Sequence, residues 1–258
     1  LVRHIRQKGA MNAVISSEEK SLEELKEILN AAPSMQGLEL ASKVTTDKIY
    51  DYGVADSEIR IAALDFGIKK NILRCLANRH CLIRVFPAKT DFETLKAWNP
   101  DGYFLSNGPG DPAAMDYAVD TAKKILDEEK PLFGICLGQQ ILALAMNIPT
   151  YKLHHGHRGI NHPVKNIITG HSEITSQNHG FGVKPGAFKD HEDDVEITHV
   201  NLNDGTIEGL RCKNKPAFSV QYHPESSPGP YDSRYLFDDF IELIKNYKEN
   251  IVPNLQAT

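Results

Sequence analysis

The sequence predicts an α/β fold: a mostly parallel open sheet flanked by helices, with a smaller β-rich part. Three observations carry this. From Ile59 to about Thr150, apolar strand-like runs alternate with amphipathic helical stretches, the pattern of a parallel sheet covered on both faces. Within that alternation, PLFGICLGQQILAL turns abruptly from strand to helix at a cysteine held between glycines. After Thr150 the texture changes to β-rich pieces, closed by one amphipathic helix.

The elements follow in chain order. LVRHIRQKGAMNAVIS is basic and partly apolar, and SLEELKEILNAAP then predicts a helix. Ser21 and Glu24 form a capping box there, Leu22, Leu25, Ile28 and Leu29 share a face, and Pro33 stops it. Residues 1–57 are therefore assigned to a connecting arm and residues 58–258 to the main domain. IRIAALDF reads as a buried strand, KKNILRCLANR as a helix, CLIRVF as a strand, FETLKAW as a short helix and GYFLS as a third strand. The loop NGPGDP leads into the helix DYAVDTAKKILDEE, the strand PLFGI and a helix from Leu137. SEITSQN, VEITHVNL, TIEGLRC and AFSVQYH are the short β pieces, and SRYLFDDFIELIKNY is the closing helix.

The 258 residues, 41% of them hydrophobic, suffice for a substantial core. A net charge of −5 offers no basic face for nucleic acid, and no apolar run approaches the roughly 20 residues that span a bilayer. Neither nucleic acid nor membrane is therefore expected as a partner. Four cysteines without a CxxC pair do not make a disulfide framework, so a reducing, cytoplasmic setting is expected.

In open α/β sheets ligands gather at the carboxyl ends of strands, and three stretches fall at such ends. Cys136 follows PLFGI, with Gly134 and Gly138 in the small-residue positions of a nucleophile elbow. Two readings are open for it, a buried structural thiol or an activated nucleophile whose thiolate is favoured by the helix that follows. Strand, elbow and helix together favour the second. His223 ends AFSVQY and lies in HPE, where Glu225 is placed to hold one ring nitrogen and leave the other for a thiol. NGPGD, from Asn107 to Asp111, is a Gly-Pro turn able to offer backbone N–H groups to an oxyanion.

Two further stretches are less specific. KLHHGHRGINHP supplies His154, His155, His157, Asn161 and His162 within a short span, so a zinc site is weighed there. No cysteine or carboxylate sits at ligand spacing nearby, so the expectation is no metal and a glycine-rich histidine loop serving as an interaction surface. SQNHGFGV reads only as a loop. Cys75, Cys81 and Cys212 lack an elbow and are expected in the core.

Taken together, LSNGPGDP, FGICLGQQILAL, GHRGINHPV, TSQNHGFGV and FSVQYHPESSPGP resemble, in that order, the class I (triad) glutamine amidotransferase family. More narrowly they resemble its branch of carbamoyl-phosphate synthetase small, glutaminase subunits. The resemblance implies that Cys136 attacks the side-chain amide of glutamine, that His223 transfers protons and that Glu225 orients His223. It also implies oxyanion donation from the backbone of Gly108 and Leu137, with Gly110 shaping the loop. Gln140, Asn178, Gly180 and Phe181 match glutamine-binding positions. The implied partner is a large synthetase subunit that uses ATP and bicarbonate, with no cofactor on this chain. The arm RHIRQKGAMN is similar to the segment leaving a separate N-terminal domain, which this sequence lacks and which in the family lends a residue to the glutamine pocket. Two positions depart from the pattern: Gln139 stands where histidine is common, and Ile160 where glycine is common. The competing readings are a free-standing γ-glutamyl hydrolase and a non-catalytic docking subunit.

Overall fold

The computed structural model describes residues 1–226 and 228–255, with side chains described as far as Asn250. The arm opens with helix α1 (Val2–Lys8), followed by α2 (Leu22–Ala31), the short α3 (Ala41–Val44) and strand β1 (Tyr50–Tyr52). The capping box forms: the Ser21 hydroxyl accepts from the Glu24 N–H, and Glu24 accepts from the Ser21 N–H. The alternating unit then runs β2 (Ile59–Asp65), α4 (Lys70–Ala77), β3 (Cys81–Pro87), α5 (Phe92–Ala97), β4 (Gly102–Leu105), α6 (Asp116–Asp127), β5 (Leu132–Ile135) and α7 (Leu137–Ala145). The second half carries β6 (Thr150–Asn166), β7 (Ser172–Val183), β8 (Val195–Asn201), β9 (Ile207–Cys212), β10 (Ala217–Val220) and α8 (Tyr235–Leu255).

All ten strands join one sheet in the order β1-β3-β2-β4-β5-β10-β9-β8-β6-β7. The five from β3 to β10 pair in parallel, and the remaining pairs are antiparallel. The β-rich half is thus an extension of the same sheet, entered where β10 returns to lie beside β5.

Both faces of the parallel strands are buried, which is why they read as near-continuous apolar runs. On β2, Ala62 and Leu64 face the layer built with α5, α6 and α7, while Ile61 and Ala63 face the layer of α4 and α8. Phe104, Phe133, Phe218, Phe237 and Phe240 form an aromatic cluster under α8, with Phe133 and Phe218 stacked at 4.4 Å. Such contacts add to the burial free energy. Cys75, Cys81 and Cys212 are buried thiols.

Two stretches read as loops are strands. GHRGINHP lies within the 17-residue β6, and SQNHGFGV lies within β7, its antiparallel partner. Glycine hides this from a sequence reading, because glycine weakens strand propensity yet is the residue that β-bulges need. The β6–β7 register shifts between Lys152 and His157 and again between Gly159 and His162, and Gly156 and Gly159 have positive φ.

The later part of the arm packs on the sheet domain. β1 pairs with β3, Leu38 and Gly37 hydrogen-bond Asp111, and Glu39 bridges Gly110.

Candidate active site

The sheet itself assembles the site. In the parallel β5–β10 pair Ile135 lies opposite Val220, so the residues that follow leave the sheet side by side. Cys136 is one step beyond Ile135, and its N–H donates to the Val220 carbonyl at 2.8 Å. Its φ of 56° and ψ of −102° lie outside the usual regions for a side-chain-bearing residue, the strained turn that an elbow requires. The flanking glycines are demanded by close approach. A Cβ on Gly138 would sit 2.1 Å from the Leu105 carbonyl oxygen, and one on Gly134 would sit 2.8 Å from the backbone of Gly138.

His223 lies three residues beyond Val220, fixed by its N–H to the Ser176 carbonyl at 2.8 Å. Its Nδ1 is 2.7 Å from Glu225 Oε1, which leaves Nε2 for Cys136, its other hydrogen-bond partner. Burial opposes a charge on the ring, but the Glu225 carboxylate and Cys136 outweigh it and push His223 up to about 10. The same pairing works on Glu225. Burial favours its neutral form, yet His223 and then Lys69 hold the carboxyl below its ordinary range.

Lys69 carried no signal in the sequence beyond lying past a strand's carboxyl end. Its Nζ is 3.0 Å from Glu225 Oε1 and 2.8 Å from the Ser226 carbonyl. Asn71 donates to the Glu225 carbonyl at 2.6 Å, so the start of α4 grips the HPE turn from behind.

The NGPGD turn lies beyond β4, where the strand order reverses around β2. Asn107 ties it to the neighbouring loop, accepting from the Lys69 N–H at 3.0 Å and donating to the Gly67 carbonyl at 3.1 Å. Gly108 is pressed against that loop: a Cβ there would sit 2.1 Å from the Phe66 carbonyl oxygen.

These elements enclose a cavity of about 760 Å³. Gly108, Gly110, Cys136, Gln140, Asn178, Gly180, Phe181 and His223 all line it. Leu137 and Glu225 do not. Glu225 stands behind His223, and the Leu137 side chain is buried in the core, so only its backbone at the start of α7 faces the elbow. Met35 of the arm, Lys69 and Arg158 also reach the wall. Ile160 is half exposed at the cavity, whereas Gln139 is fully buried and its amide finds no partner among the described residues. Gln140 donates to the Phe181 carbonyl at 2.9 Å and to Gln221 Oε1 at 3.0 Å, tying α7 to β7 across the pocket.

The histidines of strand β6 pair with one another, His157 with His162 at 5.3 Å between rings, but do not converge on one point. His154 and His155 contact each other, while His157 joins His179 and Glu208, whose ligand-type atoms lie within 4.8 Å of one another. A thiol, an imidazole and a carboxylate in line, opening on a polar cavity beside backbone N–H groups, suit acyl transfer through a thioester.

Residues 62–243 match the family described as glutamine amidotransferase class-I. The carbamoyl phosphate synthase small chain of Chlorobaculum tepidum is 50% identical over 250 residues, covering 96% of this chain and 68% of that protein. That of Synechocystis sp. is 47% identical over 266 residues, covering 97% and 68%. A solved GMP synthase structure from Thermoplasma acidophilum superposes with a TM-score of 0.64 at 24% identity. It covers 74% of this chain and 96% of its own, and carries the fold alone. Matched by that family over residues 62–243 and about half identical to such relatives, the chain belongs to the class I glutamine amidotransferase family, among the carbamoyl phosphate synthase small chains.

Proposed function

We propose that this chain hydrolyses glutamine to glutamate and ammonia and passes the ammonia to a large synthetase subunit for carbamoyl phosphate synthesis, serving arginine and pyrimidine formation. The observation that carries the reading is the alignment of Glu225, His223 and Cys136 at one end of the cavity, with the Asn178–Phe181 strand along its wall.

In this reading the Cys136 thiolate attacks the side-chain carbonyl carbon of glutamine. The negative charge moves to the carbonyl oxygen, where the N–H groups of Gly108 and Leu137 receive it. The tetrahedral intermediate collapses, the C–N bond breaks, and the His223 imidazolium gives its proton to the departing nitrogen as ammonia leaves. The γ-glutamyl thioester is then cleaved by water, whose proton returns to His223, and glutamate departs with the thiolate restored. Glu225 holds the ring through Nδ1, and Lys69 holds Glu225. Asn178, Gly180, Phe181 and Gln140 are assigned to the glutamine pocket, with Gly110 shaping the loop.

This chemistry is complete in electrons and protons without a cofactor, so none is assigned to this chain, and ATP and bicarbonate are assigned to the partner. No helix among the described residues is long and apolar enough to cross a membrane, and the assigned setting is the cytoplasm, with no nucleic acid or membrane partner.

The test is Cys136→Ala, assayed with a carbamoyl-phosphate synthetase large subunit. Glutamate release and glutamine-dependent synthesis should vanish while synthesis from added ammonia persists. Glutamine-dependent synthesis surviving the substitution would refute the triad, and turnover of γ-glutamyl peptides by the isolated chain would point to a free-standing hydrolase.

A further inference from the structure

Behind the glutamine-pocket strand, β6, β7 and β9 bring together four buried side chains that the thioester chemistry does not use. His157 on β6 is opposite His179 on β7, with His157 Nδ1 3.2 Å from His179 Nε2. Glu208 on β9 places Oε1 3.3 Å from the same His157 nitrogen, and Gln177 on β7 places Oε1 3.0 Å from His179 Nε2. One nitrogen from each histidine and a carboxylate oxygen of Glu208 all lie within 4.8 Å of one another. The carboxylate that the sequence around His157 does not supply thus arrives from a distant strand.

The surrounding hydrogen bonds leave lone pairs facing one another. His179 Nδ1 is 2.8 Å from the Phe181 carbonyl oxygen, which can only accept, so Nδ1 carries the hydrogen and Nε2 of the neutral ring is bare. It meets another acceptor in Gln177 Oε1. The Gln177 amide nitrogen donates to Thr175 Oγ1 at 3.1 Å, and that hydroxyl donates to the His162 carbonyl at 2.9 Å. Turning the amide over would set its oxygen against a hydroxyl whose hydrogen is already taken. Glu208 is fully buried; its Oε1 accepts from Asn201 at 3.1 Å, and its Oε2 has no hydrogen-bond partner among the described residues. His157 Nε2 is 2.8 Å from Oδ2 of Asp204, in the β8–β9 turn, so it carries a hydrogen and turns Nδ1 toward the other three groups. Burial opposes a second proton on His157 but Glu208 and Asp204 favour it, so in the metal-free chain a proton stands where a cation would bind.

We propose that His157 Nδ1, His179 Nε2, a Glu208 carboxylate oxygen and Gln177 Oε1 form a closed, four-coordinate site for a zinc ion that staples β6, β7 and β9 together. Donors about 2.0–2.1 Å from zinc stand about 3.3–3.4 Å apart at the tetrahedral angle. The three pairs here, at 3.0, 3.2 and 3.3 Å, reach that spacing with shifts of a few tenths of an ångström. The outer partners match as well. Metal-bound histidines donate their second N–H to a carboxylate or a backbone carbonyl, and here His157 has Asp204 and His179 has the Phe181 carbonyl. Two imidazoles disfavour magnesium and calcium, which take oxygen, and a tetrahedral set disfavours copper(II). With every position filled by the protein, the ion is structural and takes no part in the thioester chemistry. The site is therefore independent of the glutaminase reading.

Zinc binding is measured on the full chain carrying Cys136→Ala, which removes the active-site thiol as a competing ligand. After chelation and dialysis, titration with zinc should show one ion per chain with a Kd below about 1 μM. Cobalt(II) in its place should give the strong visible bands of a four-coordinate ion, and zinc should raise the thermal midpoint. Glu208→Gln keeps the side chain's size, removes the anionic donor and should abolish both the stoichiometric binding and the thermal shift. Asp204→Asn, in an exposed turn and outside the four ligands, should weaken binding about 10- to 100-fold. His154→Ala, on the exposed histidine pair, should leave the Kd unchanged. Weaker or substoichiometric binding by the parent, a six-coordinate cobalt spectrum, or binding that Glu208→Gln and Asp204→Asn leave intact overturns the proposal. If Glu208→Gln fails to fold, Asp204→Asn and the cobalt spectrum decide.

Discussion

Replacing Gly108 with alanine tests the oxyanion assignment at a position where the structure sets the size of the effect. The new Cβ would lie 2.1 Å from the Phe66 carbonyl oxygen. Relief to ordinary van der Waals distance, 3.4 Å or more, needs a movement of about 1.3 Å. The Phe66 side cannot yield freely, because the Phe66 N–H is tied to the Ser106 hydroxyl at 2.9 Å and Asn107 pins the next turn to Gly67. The movement therefore falls on Gly108 and carries its N–H away from the developing oxyanion. Loss of one such donor costs roughly 100- to 1000-fold in kcat. The assay is steady-state glutamate release, with the alkylation rate of Cys136 measured alongside. The thiol should react at the unsubstituted rate, since the elbow and His223 are untouched, while kcat collapses and KM changes little. A folded Gly108→Ala protein with kcat within a few-fold of the parent would remove Gly108 from the oxyanion hole. A parallel loss of thiol reactivity would mean that the whole site, and not one donor, had moved.

Lys69→Met should lower stability by about 1 kcal/mol, a buried ion-pair loss discounted because the Lys69 side chain is 36% exposed. Glu225 has a depressed folded pKa, so its contribution is present above the ordinary value of 4.5 and is lost as pH falls through the folded one. Acid unfolding of Lys69→Met, followed by circular dichroism, should shift to higher pH; an unshifted acid limb would discard the Lys69–Glu225 pair. On the alkaline side the sign reverses. His223 and His157 rise from 6.5 to about 10 and about 9 on folding, so their stabilisation is full below pH 6.5 and drains as pH climbs through those values. Denaturant midpoints should fall between neutrality and about pH 10, and Glu225→Gln should flatten the part due to His223. Stability that is level or rising over that range would contradict both charged rings.

The fold class was legible from Ile59 onward because a strand buried on both faces and an amphipathic helix each write their period into a few consecutive residues. The elbow was legible for the same reason. Gly134, Cys136 and Gly138 lie within one turn, and their steric need is local to that turn. His223 and Glu225 also stand within one short turn, at a strand end that the alternation places on the ligand side. What the tertiary structure decided depends on partners far apart in the chain. Lys69 meets Glu225 only because β2 and β10 send their carboxyl ends to the same edge. β6 and β7 are strands because each finds the other, and their glycines, read alone, say loop. His157 looks like one histidine among eleven until β7, β9 and the β8–β9 turn surround it with His179, Glu208 and Asp204. Local sequence carries propensity and periodicity, whereas charge pairing and proton placement arise when burial strips away water and leaves each polar atom only the partners the fold supplies.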